Sequence, residues 1–267
     1  LKSYFRQFIN KVPSFGKTFI CIDDKINNEL IREIKNKNFY SYGMKSNANF
    51  NINNIQQNKE NSKFDLIINL PNKKKTIIKD FKIPLLGIHN IRNSVAAIAV
   101  SLTVGISIPK IKYGLMNFKG VQRRFNKIFS YNKIDFYDDY AHHPTEIRSI
   151  LESVHNVNPK RKIICVFEPH RYSRAISLKK EFSKCFSKSN LVIMCPLYAA
   201  GETKNKKFNL IKFASLIAKN SKTQIIIVKN EIELSKYLKK NLISNEIVIG
   251  MGAGIISKWM REIQFTI

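Results

Sequence analysis

The chain has 267 residues, 44% of them hydrophobic and 11% aromatic, which excludes a wholly disordered protein and leaves room for about two compact domains. Its 46 Lys and Arg against 19 Asp and Glu give a net charge of +27. The lysines are scattered in short clusters such as Lys73 to Lys75, Lys206 with Lys207 and Lys239 with Lys240, which speaks against an arm or stripe for nucleic acid or an anionic membrane and is compatible with a small anionic substrate.

The first half reads as a strand at Thr18 to Ile22 and a helix at Lys25 to Asn36. Four strand-like runs follow, at Phe39 to Tyr42, Asn49 to Ile55, Phe64 to Leu70 and Thr76 to Phe81. The uncharged run from Ser94 to Pro109 is shorter than the ~20 apolar residues of a membrane span and is interrupted by Ser101, Thr103, Gly105 and Ser107. It belongs to a core helix from His89 to Val104, with Val95, Ala96, Ala99, Val100 and Leu102 as its apolar face. A short helix is expected at Pro109 to Met116.

From about Val121 the rhythm changes to strict alternation. Strands are expected at Ile134 to Tyr137, Lys162 to Phe167, Leu191 to Cys195, Gln224 to Val228 and Glu246 to Ile249. Helices are expected at Pro144 to His155, Ser173 to Ser187, Phe208 to Lys219, Ile232 to Lys240 and Gly254 to Ile263. The fold class is therefore α/β, ending in a Rossmann-like domain whose mostly parallel sheet is covered on both faces and takes ligands beyond the carboxyl ends of its strands. The change of texture puts a domain boundary between 120 and 121.

Cys21, Cys165, Cys185 and Cys195 are far apart with no C-x-x-C pair, which favours reduced thiols in a cytoplasmic protein over a disulfide framework or zinc site. No signal peptide opens the chain, and its start at Leu1 reads as that of an incomplete gene product. Gly16-Lys17-Thr18 mimics the tail of a P-loop, but Lys11 stands where the motif needs glycine and the triplet precedes a strand, so a turn is expected. Gly250-Met251-Gly252-Ala253-Gly254 follows the last strand. Tight strand-to-helix packing is the favoured role there, with anion binding as the alternative.

Five segments carry candidate chemistry. In Gly87 to Asn93, His89 and Asn93 share a helix face that could meet a metal or a purine, while Asn90 could simply cap the helix. In Phe118 to Phe125, Arg123 and Arg124 could present a guanidinium fork to phosphate. Asp138-Asp139-Tyr140-Ala141-His142-His143-Pro144-Thr145-Glu146 follows a strand, and hydrogen bonding to a polar substrate explains it better than a metal site. Glu168 to Arg174 places Arg171 and Arg174 three apart at a helix start, aimed at one anion. Tyr198-Ala199-Ala200-Gly201-Glu202 follows the next strand. Four of the five histidines fall in these segments.

In this order, G-x-H-N-x-x-N, F-x-G-V-x-R-R-F, D-D-Y-A-H-H-P-T-E, P-H-R-Y-S-R, Y-A-A-G-E and M-G-A-G resemble the Mur ligases of peptidoglycan synthesis over essentially the whole chain. The family has an N-terminal domain for the UDP-sugar, a central P-loop ATPase and a C-terminal Rossmann-like domain. The resemblance implies that 1–120 is the second part of the central domain and 121–267 the C-terminal domain. It also implies that the first domain and the P-loop are missing.

The implied activity is an ATP- and Mg2+-dependent ligase joining L-alanine to the carboxylate of UDP-N-acetylmuramate through an acyl phosphate. The chain alone would be inactive, being either an incomplete sequence or one completed by a separate N-terminal polypeptide carrying the P-loop. The resemblance would have His89 help hold magnesium, Asn90 and Asn93 contact adenine, and Arg123 or Arg124 reach the phosphates. Asp139, with Asp138, would meet the ribose. Tyr140, His142, Arg171 and Arg174 would surround the muramoyl carboxylate and the alanine, with His142 or His143 taking the amine proton. The loops 138–146 and 168–174 are expected to converge in one polar pocket facing the 87–93 helix. The rival readings are a murein tripeptide ligase of cell-wall recycling, which would lack P-H-R-Y-S-R, a non-catalytic basic binding protein, and an inactive remnant.

Overall fold

A computed structural model describes residues 2–35, 38–58, 60–118 and 120–267. Asn36, the expected end of the second helix, and Lys119 of the F-x-G-V-x-R-R-F segment lie outside the described residues. The chain separates into two compact units, 1–120 and 121–267.

Unit 1 runs α1 (Lys2–Asn10), β1 (Thr18–Cys21), α2 (Lys25–Glu33), β2 (Phe39–Gly43), β3 (Phe50–Gln57), β4 (Ser62–Ile68), β5 (Thr76–Ile83), α3 (Ile88–Thr103) and α4 (Ile108–Met116). Its sheet keeps chain order, with β1, β2 and β3 parallel and β3, β4 and β5 antiparallel. The inward residues of the sheet, among them Phe50, Phe64, Leu66 and Phe81, form one core with Ile91, Val95, Ile98 and Ala99 of α3. The expected apolar face of α3 is thus shifted. Ile91, Ser94, Val95, Ile98 and Ala99 are buried, whereas Val100 is 44% exposed, because the helix begins at Ile88 and presents the 91/95/98 stripe to the sheet. Gly16 lies in a turn ahead of β1, as expected.

Unit 2 runs β6 (Asn126–Tyr131), β7 (Ile134–Asp139), α5 (Pro144–Val157), β8 (Ile163–Phe167), α6 (Tyr172–Ser177), α7 (Lys179–Phe182), β9 (Leu191–Met194), α8 (Leu210–Ser221), β10 (Gln224–Ile227), α9 (Glu231–Asn241), β11 (Ile247–Met251) and α10 (Ile256–Glu262). The sheet order is β10-β9-β8-β11-β7-β6, parallel except for the β6–β7 hairpin. Alternation along the strands sorts the two faces. Ile163, Cys165, Phe167, Ile247, Ile249 and Met251 pack with α5 and α8, and Ile164, Val166 and Val248 pack with Leu234, Leu238 and Met260 of α9 and α10.

The helix expected at 173–187 is broken into α6 and α7 followed by turns. Leu178 leaves helical dihedrals (φ −105°, ψ 22°), and the side chains of Ser183 and Cys185 donate to the carbonyls of Lys180 and Phe182, competing with continuation of the helix. α1 and β6 were not anticipated. α1 shows no apolar stripe of the usual core-facing kind, since it buries only Ile9. β6 is an edge strand with no fully buried residue.

The register brings four strand ends into one row: Asp139 pairs with Met251, Met251 with Phe167, and Phe167 with Met194. The segments following β7, β8, β9 and β11 therefore leave the sheet side by side.

Candidate active site

Past the strand ends the loops stay tied to one another. Glu168 N–H donates to Met251 O at 2.9 Å, Tyr198 N–H to Pro169 O at 2.8 Å, Arg171 N–H to Tyr198 O at 2.8 Å, and Gly252 N–H to Asp139 O at 3.2 Å. Onto this edge come four aromatic rings in sequence. Tyr140 and His142 are 5.2 Å apart, His142 and His170 5.5 Å, and His170 and Tyr198 5.6 Å. The loops 138–146 and 168–174 do converge, with the outer tyrosines 39% and 38% exposed.

The two adjacent histidines are wired differently. His142 Nδ1 lies 2.8 Å from Tyr140 O, and a carbonyl only accepts, so Nδ1 carries the proton and Nε2 holds the lone pair. His143 is the N-cap of α5. Its Nδ1 accepts from Thr145 N–H at 3.3 Å, so its proton resides on Nε2. Glu146 completes the capping box, accepting from the backbone N–H of His142 and His143 at 3.1 Å each. Burial pushes His143 below the usual imidazole range, which keeps the cap neutral.

His170 accepts from Arg174 Nη1 at 3.0 Å through Nδ1, and the same guanidinium lies 3.4 Å from His170 O. Burial, then the Arg174 charge, push His170 down to about 4. Arg171, at φ 69°, begins α6 with its side chain exposed. Glu202 accepts from Ser173 N–H at 3.0 Å and from its hydroxyl, which lowers the Glu202 carboxyl and anchors the Y-A-A-G-E loop to α6.

A neutral His170 beside Arg174 has a measurable consequence. A folded pKa depressed to about 4 gives stability that is present above the ordinary imidazole range and lost as pH falls through about 4. Histidine-selective NMR titration is expected to find His170 neutral at pH 5.5, and Arg174→Ala to move its midpoint up toward the ordinary range. A wild-type midpoint near 6.5, unmoved by Arg174→Ala, would overturn both the burial of His170 and its contact with Arg174.

The two aspartates turn inward. Asp138 is fully buried, bonded to Ser257 Oγ, with Arg261 at 3.8 Å and Arg123 at 3.9 Å. Asp139, 2% exposed, accepts from Phe125 N–H and Ala141 N–H, both at 2.7 Å, yet burial still raises it to about 6. Asp139 thus clamps the R-R-F segment to D-D-Y-A. Arg123 is committed to this clamp, donating to Gly252 O at 2.7 Å and stacking over Tyr140 at 4.8 Å, whereas Arg124 points to solvent.

The glycine-rich loop after β11 already holds an anion of its own. Glu168 accepts from the N–H groups of Gly254 at 3.0 Å and Ile255 at 3.2 Å, so packing is the role of this loop. A side chain at Gly254 would meet Glu168 Oε2 and the Tyr198 ring, each at 2.5 Å. Neither Glu168 nor Ser257 carried an assigned role in the sequence. Their partners lie 86 and 119 residues away, and no local pattern reveals such a pairing.

In unit 1, Gly87 at φ 94° is the N-cap of α3, and Asn90 instead ties back to Leu86 O at 2.7 Å. Arg92 binds Asp23 at 2.7 Å, and Asp23 also accepts from Met44 N–H, which fixes the first turn of α3 to the ends of β1 and β2. His89 is half-buried on that turn and Asn93 is exposed.

Residues 2–101 match the Mur ligase middle domain and residues 123–254 the glutamate ligase domain of Mur ligases. The chain belongs to the Mur ligase family. A UDP-N-acetylmuramate–L-alanine ligase of Pelagibacter ubique is 56% identical over 98% of this chain, which covers 57% of that protein. Its counterpart in Rickettsia canadensis is 38% identical over 98% of the chain and 56% of the protein. The chain thus spans little more than half the length of the curated Mur ligases it matches. Among solved structures, a UDP-N-acetylmuramate-alanine ligase of Thermotoga maritima matches with a TM-score of 0.71 at 22% identity, over 92% of this chain and 50% of that one. A murein peptide ligase of Psychrobacter arcticus also matches at 0.71, at 15% identity, over 99% of this chain and 54% of that one. These two likenesses speak to the Mur ligase fold alone.

Proposed function

We propose that this chain is the part of an ATP-dependent ligase that adds L-alanine to the carboxylate of UDP-N-acetylmuramate in cytoplasmic peptidoglycan synthesis. In this reading unit 1 is the second part of the central ATPase domain and unit 2 the C-terminal domain. The reading rests on the meeting of His142, His170 and Arg174 at one sheet edge, each with its ring or guanidinium oriented by a named partner. The relatives' names supply the substrate class.

The muramoyl carboxylate attacks the ATP γ-phosphorus, giving ADP and an acyl phosphate. The alanine nitrogen then attacks the acyl carbon, the bond from that carbon to the phosphate oxygen breaks, and one proton leaves the nitrogen. His142 Nε2, with its lone pair free by virtue of the Tyr140 carbonyl, takes that proton. Arg174, held on His170, and exposed Arg171 face the negative charge that develops on the acyl oxygens. The exposed ring of Tyr140 borders the same substrates. Of the two connector arginines, Arg124 is the one free to meet phosphate, because Arg123 is folded into unit 2. Asp138 and Asp139 hold this segment in place; contacting a ribose would require a buried carboxylate to leave its partners. Asn90 and Asn93 are assigned to adenine.

The family's chemistry also calls for magnesium. Among the described residues no three His, Cys, Asp or Glu side chains gather, and His89 offers one imidazole to an ion that prefers oxygen. A lone imidazole is not a magnesium site, so the ion would take its ligands from phosphate, water and the remainder of the ligase. Among the described residues no helix is long and apolar enough to cross a membrane.

The test joins the part of the Pelagibacter ligase that this chain does not match to this chain, and follows ADP release. Release that requires both UDP-N-acetylmuramate and L-alanine is expected, with none from the chain alone. Preference for a murein tripeptide, or no release from the joined protein, would overturn the assignment.

A further inference from the structure

The buried carboxylate that the functional reading leaves unused is that of Glu168. Alternation along β8 turns Ile164 and Val166 toward α9 and α10, and Glu168, two residues on, continues that side and is 3% exposed. Its oxygens accept from three successive N–H groups at the start of α10: Gly254 at 3.0 Å, Ile255 at 3.2 Å and Ile256 at 3.5 Å. Burial pushes this carboxyl up, against the pull of those N–H groups and of the Arg123 charge. An apolar side chain would pack there without the desolvation cost, so what the carboxylate secures is the position of the loop it grips.

Gly254 is the next link. A methyl group on it would meet Glu168 Oε2 and Tyr198 Cγ, each at 2.5 Å, so the glycine is pinched between carboxylate and ring. Its φ lies outside the left-handed region, so space rather than backbone reserves the position for glycine. The Tyr198 ring stacks in turn on His170, with centroids 5.6 Å apart and planes at 22°, and the two residues form a parallel bridge. His170 Nδ1 then accepts from Arg174 Nη1 at 3.0 Å. One run of contacts thus leads from the buried carboxylate to the guanidinium.

Other features carry less. Lys179 and Lys180 border a recess between α7 and α8, but Ser183 there is spent on Lys180 O and Asn220. The polar recess around Asp65 and Asp80 is satisfied through Asn54 Nδ2 and Asp80 N–H. The Cys165 and Cys185 thiols are buried, and burial pushes both far up, which keeps them unreactive.

We propose that Glu168 is a positioning residue for the ligase reaction. By holding Gly254 against the Tyr198 ring it sets the height of His170, and through His170 the direction of the Arg174 guanidinium. The inference rests on the functional reading above, in which Arg174 faces the acyl oxygens, but the contact chain itself can be tested without turnover.

Histidine-selective NMR on the chain as it stands follows His170, whose value of about 4 reports burial and the Arg174 charge together. Glu168→Leu and Gly254→Ala are each expected to raise that midpoint to about 5 or above, as ring and guanidinium separate. Glu168→Gln, whose amide oxygen still accepts from Gly254 N–H, should restore most of the difference. In the joined ligase, Glu168→Leu is expected to lower kcat roughly 10- to 100-fold with KM for ATP nearly unchanged, the scale of loss for a group displaced by about 1 Å. Glu168→Gln should recover most of that loss. Gly254→Ala, which keeps the buried carboxylate, is the variant to read should Glu168→Leu fail to fold. A His170 midpoint unmoved by either substitution would show that the backbone bridge to Tyr198 suffices and would overturn the proposal. So would a moved midpoint with unaltered kcat, or a Gln variant no better than Leu. A midpoint that moves as expected, while the unsubstituted joined ligase releases no ADP with alanine, would uphold the positioning of Arg174 by Glu168 and sink the functional reading. An unmoved midpoint beside normal alanine-dependent release would do the reverse.

Discussion

His142→Gln in the joined ligase is expected to lower kcat by roughly 10²- to 10⁴-fold while leaving KM for ATP nearly unchanged, and His143→Gln is expected to do neither. The contrast follows from two hydrogen bonds. The Tyr140 carbonyl fixes the proton of His142 on Nδ1, leaving Nε2 as acceptor, whereas the His143 Nδ1 lone pair is spent on Thr145 N–H at the start of α5. Gln at 142 can still hydrogen bond but cannot carry a proton away. Gln at 143 weakens an N-cap, for which about 1 kcal/mol of stability is the usual cost. The measurements are steady-state kinetics with alanine varied at saturating ATP, and urea denaturation of each variant. If His143→Gln loses turnover at unchanged stability while His142→Gln retains it, the assignment of roles is reversed.

Much of unit 2 was legible because its strands are buried on both faces. Runs such as Ile163 to Phe167 and Ile247 to Met251 are apolar throughout, and the helices between them repeat at 3.6 residues. The candidate site was legible for a related reason, since a parallel sheet delivers every post-strand loop to one edge. D-D-Y-A-H-H and P-H-R-Y-S-R therefore had to meet, and the ring contact between His142 and His170 is where they do.

The division of labour was not legible. Arg123 and Arg124 are chemically identical neighbours, and only the positive φ of 59° at Arg123, with Gly252 O and Tyr140 within reach, sends one inward and the other out. Asp138 and Asp139 look like ligand-binding acids, yet their partners are Ser257, Phe125 and Ala141 of the same unit. α1 was not legible because it turns a single side chain, Ile9, into the core and leaves Tyr4, Phe5 and Phe8 in water.

Arg161→Ala is expected to destabilise unit 2 by about 3 kcal/mol, more than a surface arginine would, because one guanidinium closes the amino end of the sheet opposite the site. Its Nη1 binds Asp135, Nε donates to Asn245 O at 3.0 Å, and Nη2 donates to Lys133 O at 3.1 Å and Glu246 O at 2.7 Å, which joins the entries to β7, β8 and β11. Removing it strips donors from three carbonyls and a cation from Asp135. Asp135 pays a desolvation cost that its hydrogen bonds to Lys127, Arg161 and Ser130 outweigh, so its pKa is lowered to about 2. A carboxyl depressed in the fold contributes stability that is present above the unfolded value and lost as pH falls from about 4 toward about 2. The gap between wild type and Arg161→Ala should therefore be widest near neutral pH and narrow as pH approaches 2. Trp259, the single tryptophan, packs against the core of unit 2, so its fluorescence reports the urea transition of that unit. Arg161→Lys keeps the charge but not the fork that reaches four acceptors, and should lie between the two. A pH-independent gap would place the stabilisation in the carbonyl contacts alone, and a loss below 1 kcal/mol would remove Arg161 from its place as the tie between the three strands.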